Sequence, residues 1–317
     1  MQILRILIVV ISLLAVGFSA SAQSRLAGVF SDGEHTLRIA PAPIESDRDW
    51  VYVEVVAAGN ELEPLVQQLW MLGAGAGEAA MYTFPKMSLN RYWPTLGSVY
   101  VGAWAAPERF PAIDPRSLVP MGVADLRTSA DGAFSLTTTR PLIFHRDDAS
   151  RMTLTVQADQ TITWFETRMD DAGVVLLERN LTLPRIDDAT SAQVTEQGLV
   201  IIDLRVGPGP ELEAGDTALI GYSMYRANGQ LIDSTSLDDR KLELLQPAPG
   251  NFFEGFKQGV LGMHGQARAT PPERRHIRRL VVPAHLAFGD KGGQPIIGPN
   301  ETIIVDLELH TFRDNTR

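Results

Sequence analysis

The sequence predicts a mainly β protein with two domains, an antiparallel barrel or sandwich followed by an α+β domain that pairs a curled sheet with one short helix. The chain of 317 residues is long enough for two domains of ordinary size. Short segments rich in β-branched and aromatic residues recur along it, separated by Gly, Pro or Asp, which is typical of antiparallel strands. A break in composition supports the division, because every tryptophan lies in the first part of the chain: Trp50, Trp70, Trp93, Trp104 and Trp164.

The composition excludes several classes of function. Hydrophobic residues make up 44% of the chain and charged residues 21%, which are ordinary values for a folded globular protein. The formal net charge of −10 argues against nucleic acid as the main partner, because a phosphate backbone repels an acidic surface. The chain has no cysteine, so disulfides, thiol catalysis and thiolate zinc sites are excluded. Its six histidines show no metal-ligand spacing, and we expect neither a metal nor a cofactor.

The first 22 residues are typical of a secretory signal peptide. Arg5 provides positive charge, residues 6–18 form an uncharged apolar core, and Ala20-Ser21-Ala22 supplies the small residues of a cleavage site. We therefore expect an exported protein, located in the periplasm, that begins at Gln23 after cleavage. The alternative is a membrane anchor, but the apolar run is shorter than the ~20 residues that span a bilayer. We expect no membrane span in the later sequence.

The predicted first domain, residues 23–182, contains six segments with strand character. Many short antiparallel strands at this spacing favour a barrel or a sandwich. A barrel can be packed solid or can hold an apolar small ligand, and the sequence leaves both open. A polar stretch that contains a proline, residues 183–197, is the predicted linker. The six segments are Trp50–Val56, Leu65–Leu72, Ser98–Trp104, Phe134–Thr139, Met152–Val156 and Thr161–Arg168.

The predicted second domain, residues 198–317, combines strands with one helix. Phe256, Val260 and Met263 recur at i, i+4 and i+7, which predicts one face of a short amphipathic helix. Asn228-Gly229 predicts a hairpin turn, because both residues tolerate positive φ angles. The predicted strands are Leu199–Val206, Asp216–Tyr225, Arg279–Val282 and Thr302–Leu309.

Four motifs follow one another in this second domain. They are NGQLIDS at 228–234, FFEGFKQGVLGM at 252–263, PAHLAFG at 283–289 and IIGPNETIIVDLEL at 296–309. In this order and near this spacing they resemble the FKBP-type peptidyl-prolyl isomerases, over about Leu199–Phe312. The resemblance implies a curled antiparallel sheet with a helix laid across it, and an activity that rotates X-Pro peptide bonds without a cofactor.

The resemblance also implies which residues form the site. Asp233 is the polar group that faces the twisting amide, and Tyr222 orients it by a hydrogen bond. The backbone N–H of Phe253 holds the substrate carbonyl, and Phe288 completes the catalytic group. The substrate-binding pocket is then formed by Ile232, Leu242, Phe252, Phe256, Ile297 and Val305, with Phe256 as its floor.

The pocket departs from the family pattern toward smaller side chains. Ile232 and Val305 each stand where the family usually has Phe, Phe256 replaces a Trp, and Phe288 replaces a Tyr. The pocket therefore stays apolar but becomes wider and less aromatic. Two interpretations remain open. The domain is an isomerase that acts on proline-containing exported polypeptides and binds macrolide inhibitors, or it is a catalytically weak chaperone or binding module.

Two further features carry weaker expectations. Segments at 25–31, 50–54, 67–70, 134–138 and 164–173 are similar to the CpcT/CpeT chromophore-lyase family, which implies a lipocalin-like barrel over about Ser24–Glu178. The lyase activity is not carried over, because the family's cysteines are absent. The basic loop His264–His276 is either a contact surface for a partner or a solvated loop.

Overall fold

The computed structural model describes residues 26–73, 77–84, 99–128, 133–140, 142–145, 148–186, 192–235, 243–245, 252–293 and 295–314. The predicted signal peptide lies outside these ranges. Contacts divide the described residues into two units, the first formed by 26–58, 64–84 and 112–186 and the second by 59–63, 99–111 and 192–314. Both units are built mainly from strands, so the predicted fold class is confirmed.

The first unit is a nearly closed barrel of antiparallel strands. Its sheet has the order β11-β10-β9-β7-β6-β5-β4-β3-β2-β1-β12, with β8 beside β9. β12 follows β11 directly along the chain, and the carbonyl of the intervening Pro184 accepts a hydrogen bond from Ser31 N–H at 3.0 Å, which brings the two ends of the sheet together. The strands are β1 (Gly28–Ser31), β2 (His35–Pro41), β3 (Trp50–Ala57), β4 (Val66–Leu72), β5 (Glu78–Thr83), β6 (Val119–Thr128), β7 (Phe134–Thr138), β8 (Leu142–His145), β9 (Asp148–Val156), β10 (Ile162–Asp170), β11 (Val175–Leu183) and β12 (Arg185–Ile186).

Side chains from all sides of the barrel pack into a common core. Alternate residues of β3, Val51, Val53 and Val55, are fully buried in it, as the two-residue period of a strand requires. The rings of Trp70 and Trp164 are also fully buried, with centroids 6.1 Å apart. The predicted tryptophans on β4 and β10 thus belong to the packing of the barrel core.

One predicted strand, Ser98–Trp104, is wrong. Residues 99–105 form a single 3₁₀ turn followed by further turns, and Gly102 has a φ of 83°, which is incompatible with a strand. Together with 59–63, this part of the predicted first domain groups with the second unit. The apolar residues that indicated a strand, Val99 and Val101 among them, are buried instead by packing in the second unit.

The second unit is a curled antiparallel sheet with a helix across one face. Its strands have the order β13-β14-β18-β19-β15-β16, with β17 also beside β15. The predicted helix is confirmed as α1 (Glu254–Val260), and the predicted turn at Asn228-Gly229 is confirmed by a φ of 86° at Gly229. The strands are β13 (Gln193–Val194), β14 (Val200–Arg205), β15 (Thr217–Arg226), β16 (Leu231–Ser234), β17 (Glu243–Leu245), β18 (His276–Val282) and β19 (Ile303–Arg313).

Both faces of this second sheet are buried. On the face that carries α1, Leu280 of β18 lies opposite Val305 of β19, and both are fully buried beneath the helix. On the other face, Ile202, Val281 and Ile304 are equally buried. The alternation of side chains along the strands thus supplies two apolar layers from one sheet.

Residues 99–110, which we call the back strap, pack on the second of these faces. The Cα of Gly102 is so close to β14 that a Cβ there would lie 3.3 Å from Leu204 Cδ2. The guanidinium of Arg279 donates to the carbonyl of Val101 at 2.6 Å and to both carboxylate oxygens of Asp306 at 2.7 and 2.8 Å. A segment from the first half of the sequence is therefore part of the second unit.

No helix in the described ranges has the length and hydropathy needed to cross a membrane.

Candidate functional site

The predicted polar pair lies on neighbouring strands. Tyr222 is on β15 and Asp233 on β16, and the Tyr222 hydroxyl donates a hydrogen bond to Asp233 Oδ2 at 2.8 Å. The other carboxylate oxygen of Asp233 accepts from the backbone N–H of Ser234 at 2.9 Å. Because both oxygens are held, the carboxylate has a fixed orientation.

An aromatic cluster forms the floor beside this pair. Phe256 of α1 is fully buried at its centre. The Phe252 ring stacks on it with centroids 4.4 Å apart, and the rings of Tyr222 and Phe253 meet it edge-on at 5.6 and 5.9 Å. Offset and edge-to-face contacts at these distances are the favoured arrangements of aromatic rings.

The remaining predicted residues complete a cup around this floor. Val305 and Ile297 are buried in the same core, and Ile232 packs against it. The ring of Phe288 lies 5.4 Å from that of Phe253, and both side chains are half-buried. The structure thus brings together every described residue of the predicted site, whereas Leu242 lies outside the described residues.

Phe253 stands immediately before α1 with an extended backbone, φ −69° and ψ 161°. Its carbonyl accepts hydrogen bonds from the N–H groups of Phe256 and Lys257, at 3.1 and 3.3 Å. Its own N–H has no acceptor among the residues that the structure describes. This donor is therefore available, next to the half-buried rings of the cup.

A tight loop seats Ile297 over the cup. Gly293 and Ile297 exchange two backbone hydrogen bonds, at 3.0 and 2.8 Å. Gly292 has a φ of 68°, and a Cβ on it would lie 2.4 Å from the Ile297 carbonyl oxygen, so only glycine fits. The backbone of this loop thus fixes one wall of the cup.

The basic loop His264–His276 does not present a row of free cations. Arg275 is bonded to Glu308 at 3.1 Å and to the carbonyl of Thr270 at 2.9 Å. Arg278 and Arg279, which follow the loop, are 4% and 1% exposed within β18. These three arginines are structural, which leaves Arg268 and Arg274 as the exposed arginines of the described loop.

A cavity of about 310 Å³ lies behind the strands of the candidate site, and no sequence pattern predicted it. Part of its polar lining is already paired: Ser223 with Ser234 at 2.9 Å, and Glu308 with Arg275 at 3.1 Å. Leu62 closes one side.

Within the described part of the chain no cluster of three or more His, Asp or Glu is arranged to hold a metal ion.

Among the residues that the structure describes, the cup has no activated nucleophile. It is apolar, with one fixed carboxylate and one available backbone donor. Such a surface can hold an acyl-proline segment and leave its amide bond intact.

Comparisons with known proteins agree with this geometry. The model of the FKBP-type peptidyl-prolyl cis-trans isomerase family matches residues 209–310. An FK506-binding protein of Streptomyces anulatus is 34% identical over 113 residues, which cover 35% of this chain and 83% of that protein. The chain therefore belongs to the FKBP-type peptidyl-prolyl cis-trans isomerase family.

Other relatives are longer than the matched region. FK506-binding protein 4 of Gibberella zeae is 35% identical over 38% of this chain and 22% of its own length. A chloroplastic peptidyl-prolyl cis-trans isomerase of Arabidopsis thaliana is 32% identical over 36% of this chain and 49% of its own length. The chain thus spans half or less of these two proteins.

Proposed function

We propose that the second unit catalyses the cis–trans isomerisation of X-Pro bonds in other exported polypeptides. The observation that carries this proposal is the Tyr222–Asp233 hydrogen bond at the edge of the Phe256 cup. It places one oriented carboxylate beside an apolar surface, within a family whose members share this activity.

The chemistry requires little beyond such a surface. Amide resonance imposes a barrier of ~18–20 kcal/mol on rotation about the peptide bond. The planar amide has more charge separation than the twisted one, so an apolar environment favours the twisted state. A hydrogen-bond donor that holds the carbonyl oxygen keeps the acyl group in place while the proline rotates about the C–N bond.

Each group of the cup has a role in this scheme. The proline ring packs on the half-buried rings of Phe252, Phe253 and Phe288, and the buried ring of Phe256 supports the first two from beneath. The N–H of Phe253 holds the substrate carbonyl, and the carboxylate of Asp233 faces the twisting amide. Tyr222 keeps that carboxylate in place, because its hydroxyl occupies Oδ2.

The width of the cup favours a second candidate, a binding module for unfolded clients with weak turnover. The hydroxyl that the family usually has at Phe288 is missing, and Ile232 and Val305 are smaller than the family's Phe. A wider cup contacts the proline ring less closely, which weakens the interactions that distinguish the transition state from the bound substrate. Both candidates use the same surface and the same proline-containing clients.

The location and inhibitors of the protein follow from the same proposal. The predicted signal peptide, residues 1–22, directs the chain to the periplasm, where exported polypeptides fold. Macrolides that occupy the proline cup are the expected inhibitors. The barrel of the first unit has no assigned part in this activity. Its proposed ligand is an apolar small molecule.

A peptide assay separates the two candidates. Cis-to-trans conversion of short X-Pro peptides is followed by coupled proteolysis for the wild type and for Asp233→Asn, with Asp159→Asn in an exposed hairpin turn as the matched control. We expect catalysis by the wild type and by the control, and a clear loss in Asp233→Asn. Turnover indistinguishable from the uncatalysed rate on several peptides would reject the enzyme and leave the binding module.

A further inference from the structure

We infer that Arg278 is a positioning residue for the isomerase site, and this inference rests on the proposed function. Arg278 lies on β18, is 4% exposed, and is on the face that carries α1. Its hydrogen bonds within the described residues go to Asp203 and to the backbone at the end of α1, and not to the predicted cup residues. It acts on them through the helix that carries Phe256 and follows Phe253.

The guanidinium of Arg278 caps the end of α1. Its Nη1 donates to the carbonyls of Gly259 at 2.9 Å and Leu261 at 2.7 Å, and its Nη2 donates to the carbonyl of Gly262 at 3.3 Å. The last carbonyls of a helix lack partners within the helix and carry partial negative charge. α1 has only seven residues, so this cap satisfies a large share of its backbone.

The remaining donors of Arg278 bind a carboxylate. Nε donates to Asp203 Oδ1 and Nη2 to Asp203 Oδ2, so all five N–H groups of the guanidinium have acceptors. Lysine has three donors and no planar fork, and cannot reproduce this set. The pattern specifies arginine at this position.

A histidine fixes the carboxylate in turn. His276 is fully buried; its Nε2 donates to Asp203 Oδ1 at 2.7 Å, and its Nδ1 accepts from the backbone N–H of His264 at 2.9 Å. With Nδ1 occupied as an acceptor, the ring is held neutral. Burial opposes ionisation of Asp203, but the hydrogen bonds from His276 and Arg278 hold the pKa of its carboxyl well below the usual 3.8. The ion pair under α1 therefore stays charged.

The other end of α1 is seated by close packing. A Cβ on Gly255 would lie 2.4 Å from Val282 Cγ1, so the first turn rests directly on β18. The helix is thus held between Val282 at its start and Arg278 at its end. The position of Phe256 and of the Phe253 N–H relative to Asp233 follows from these two attachments.

Arg279 offers a matched control. It is the next residue of β18, is 1% exposed and also forms a charged hydrogen-bonded pair, but it is on the opposite face of the sheet, toward the back strap. Arg278→Met and Arg279→Met each remove one buried guanidinium from the same strand. Only the first releases α1.

The experiment measures kcat and KM on an X-Pro peptide in the full chain, under conditions where each variant is folded by circular dichroism. A 1 Å misplacement of reacting groups can cost on the order of a hundredfold in rate, so we expect Arg278→Met to lower kcat by about ten- to a hundredfold more than Arg279→Met does. Arg278→Lys should recover only part of the loss. Equal losses of kcat in the two methionine variants would overturn the inference.

A second measurement is independent of turnover. In the chain labelled with ¹⁵N-phenylalanine, the amide signals of Phe253 and Phe256 should move in Arg278→Met and stay in place in Arg279→Met. Unchanged signals in Arg278→Met would overturn the positioning role even if the wild type proved inactive, so the two proposals fail separately. If Arg278→Met does not fold, Asp203→Asn/Arg278→Met removes both charges together and is measured in its place.

Discussion

Substitution of Gly259 by alanine tests the close seating of α1 on β18. A Cβ at this position would lie 2.2 Å from Leu280 Cδ1 and 2.7 Å from Cδ2, and Leu280 is itself fully buried. Alanine is favoured over glycine within a helix by about 1 kcal/mol. Overpacking of a filled core costs about 1–3 kcal/mol. We expect the clash to dominate, so that the free energy of unfolding falls by up to roughly 2 kcal/mol.

The assay for this prediction is urea unfolding followed by circular dichroism, together with kcat/KM on an X-Pro peptide. Activity should fall too, because relief of the clash lifts the helix that carries Phe256. Lys257→Ala is the control, since that residue is half-buried on the same helix and alanine there meets no such contact. An alanine at 259 that leaves stability equal to or above that of the wild type would refute the reasoning, because helix propensity alone predicts that result.

Three further predictions concern individual interactions. Tyr222→Phe removes the hydrogen bond to Asp233 and should lower kcat/KM about three- to tenfold, with little change in unfolding free energy. Burial lowers the pKa of His276 from 6.5, so below pH 6.5 the unfolded chain binds a proton that the folded protein excludes. The free energy of unfolding should therefore fall as the pH drops below 6.5. His276→Gln should flatten this dependence in urea titrations between pH 7 and 5. Arg279→Met leaves the carboxylate of Asp306 buried without its partner and should cost about 3–5 kcal/mol in the same unfolding assay, whereas the double variant Arg279→Met/Asp306→Leu should recover most of that loss.

The second unit was largely predictable because its elements obey local rules. The i, i+4, i+7 spacing from Phe256 predicted the helix, and Asn228-Gly229 predicted the turn. The predicted last strand is confirmed as β19, where Val305 and Leu307, two positions apart, share a buried face. The family resemblance added what periodicity cannot supply, namely that Tyr222 and Asp233 meet.

The back strap was not predictable from the same rules. Val99 and Val101 have the composition of a strand, and nothing local reports that Gly102 turns the chain at a positive φ. Gly102 lies against Ile202 and Leu204 of β14, about a hundred positions later in the sequence, and single-sequence patterns carry no information on such contacts. The barrel of the first unit is confirmed, whereas a ligand within it stays a prediction.

The roles of Arg278 and Arg279 show the same limit within the site. Strand periodicity places the two residues on opposite faces of β18, but it does not reveal that one face receives the end of α1 and the other the back strap. The sequence therefore indicated only a basic segment. The guanidinium groups of Arg275, Arg278 and Arg279 are in fact used within the fold.

The most direct test of the account is the exchange rate between the cis and trans signals of an X-Pro peptide, measured by NMR exchange spectroscopy with a catalytic amount of the full chain. Uncatalysed interconversion takes tens to hundreds of seconds, so any exchange cross-peak on a shorter timescale is due to the protein. We predict cross-peaks that grow with protein concentration and disappear when a macrolide occupies the cup. An exchange rate equal to that of the free peptide would contradict the account.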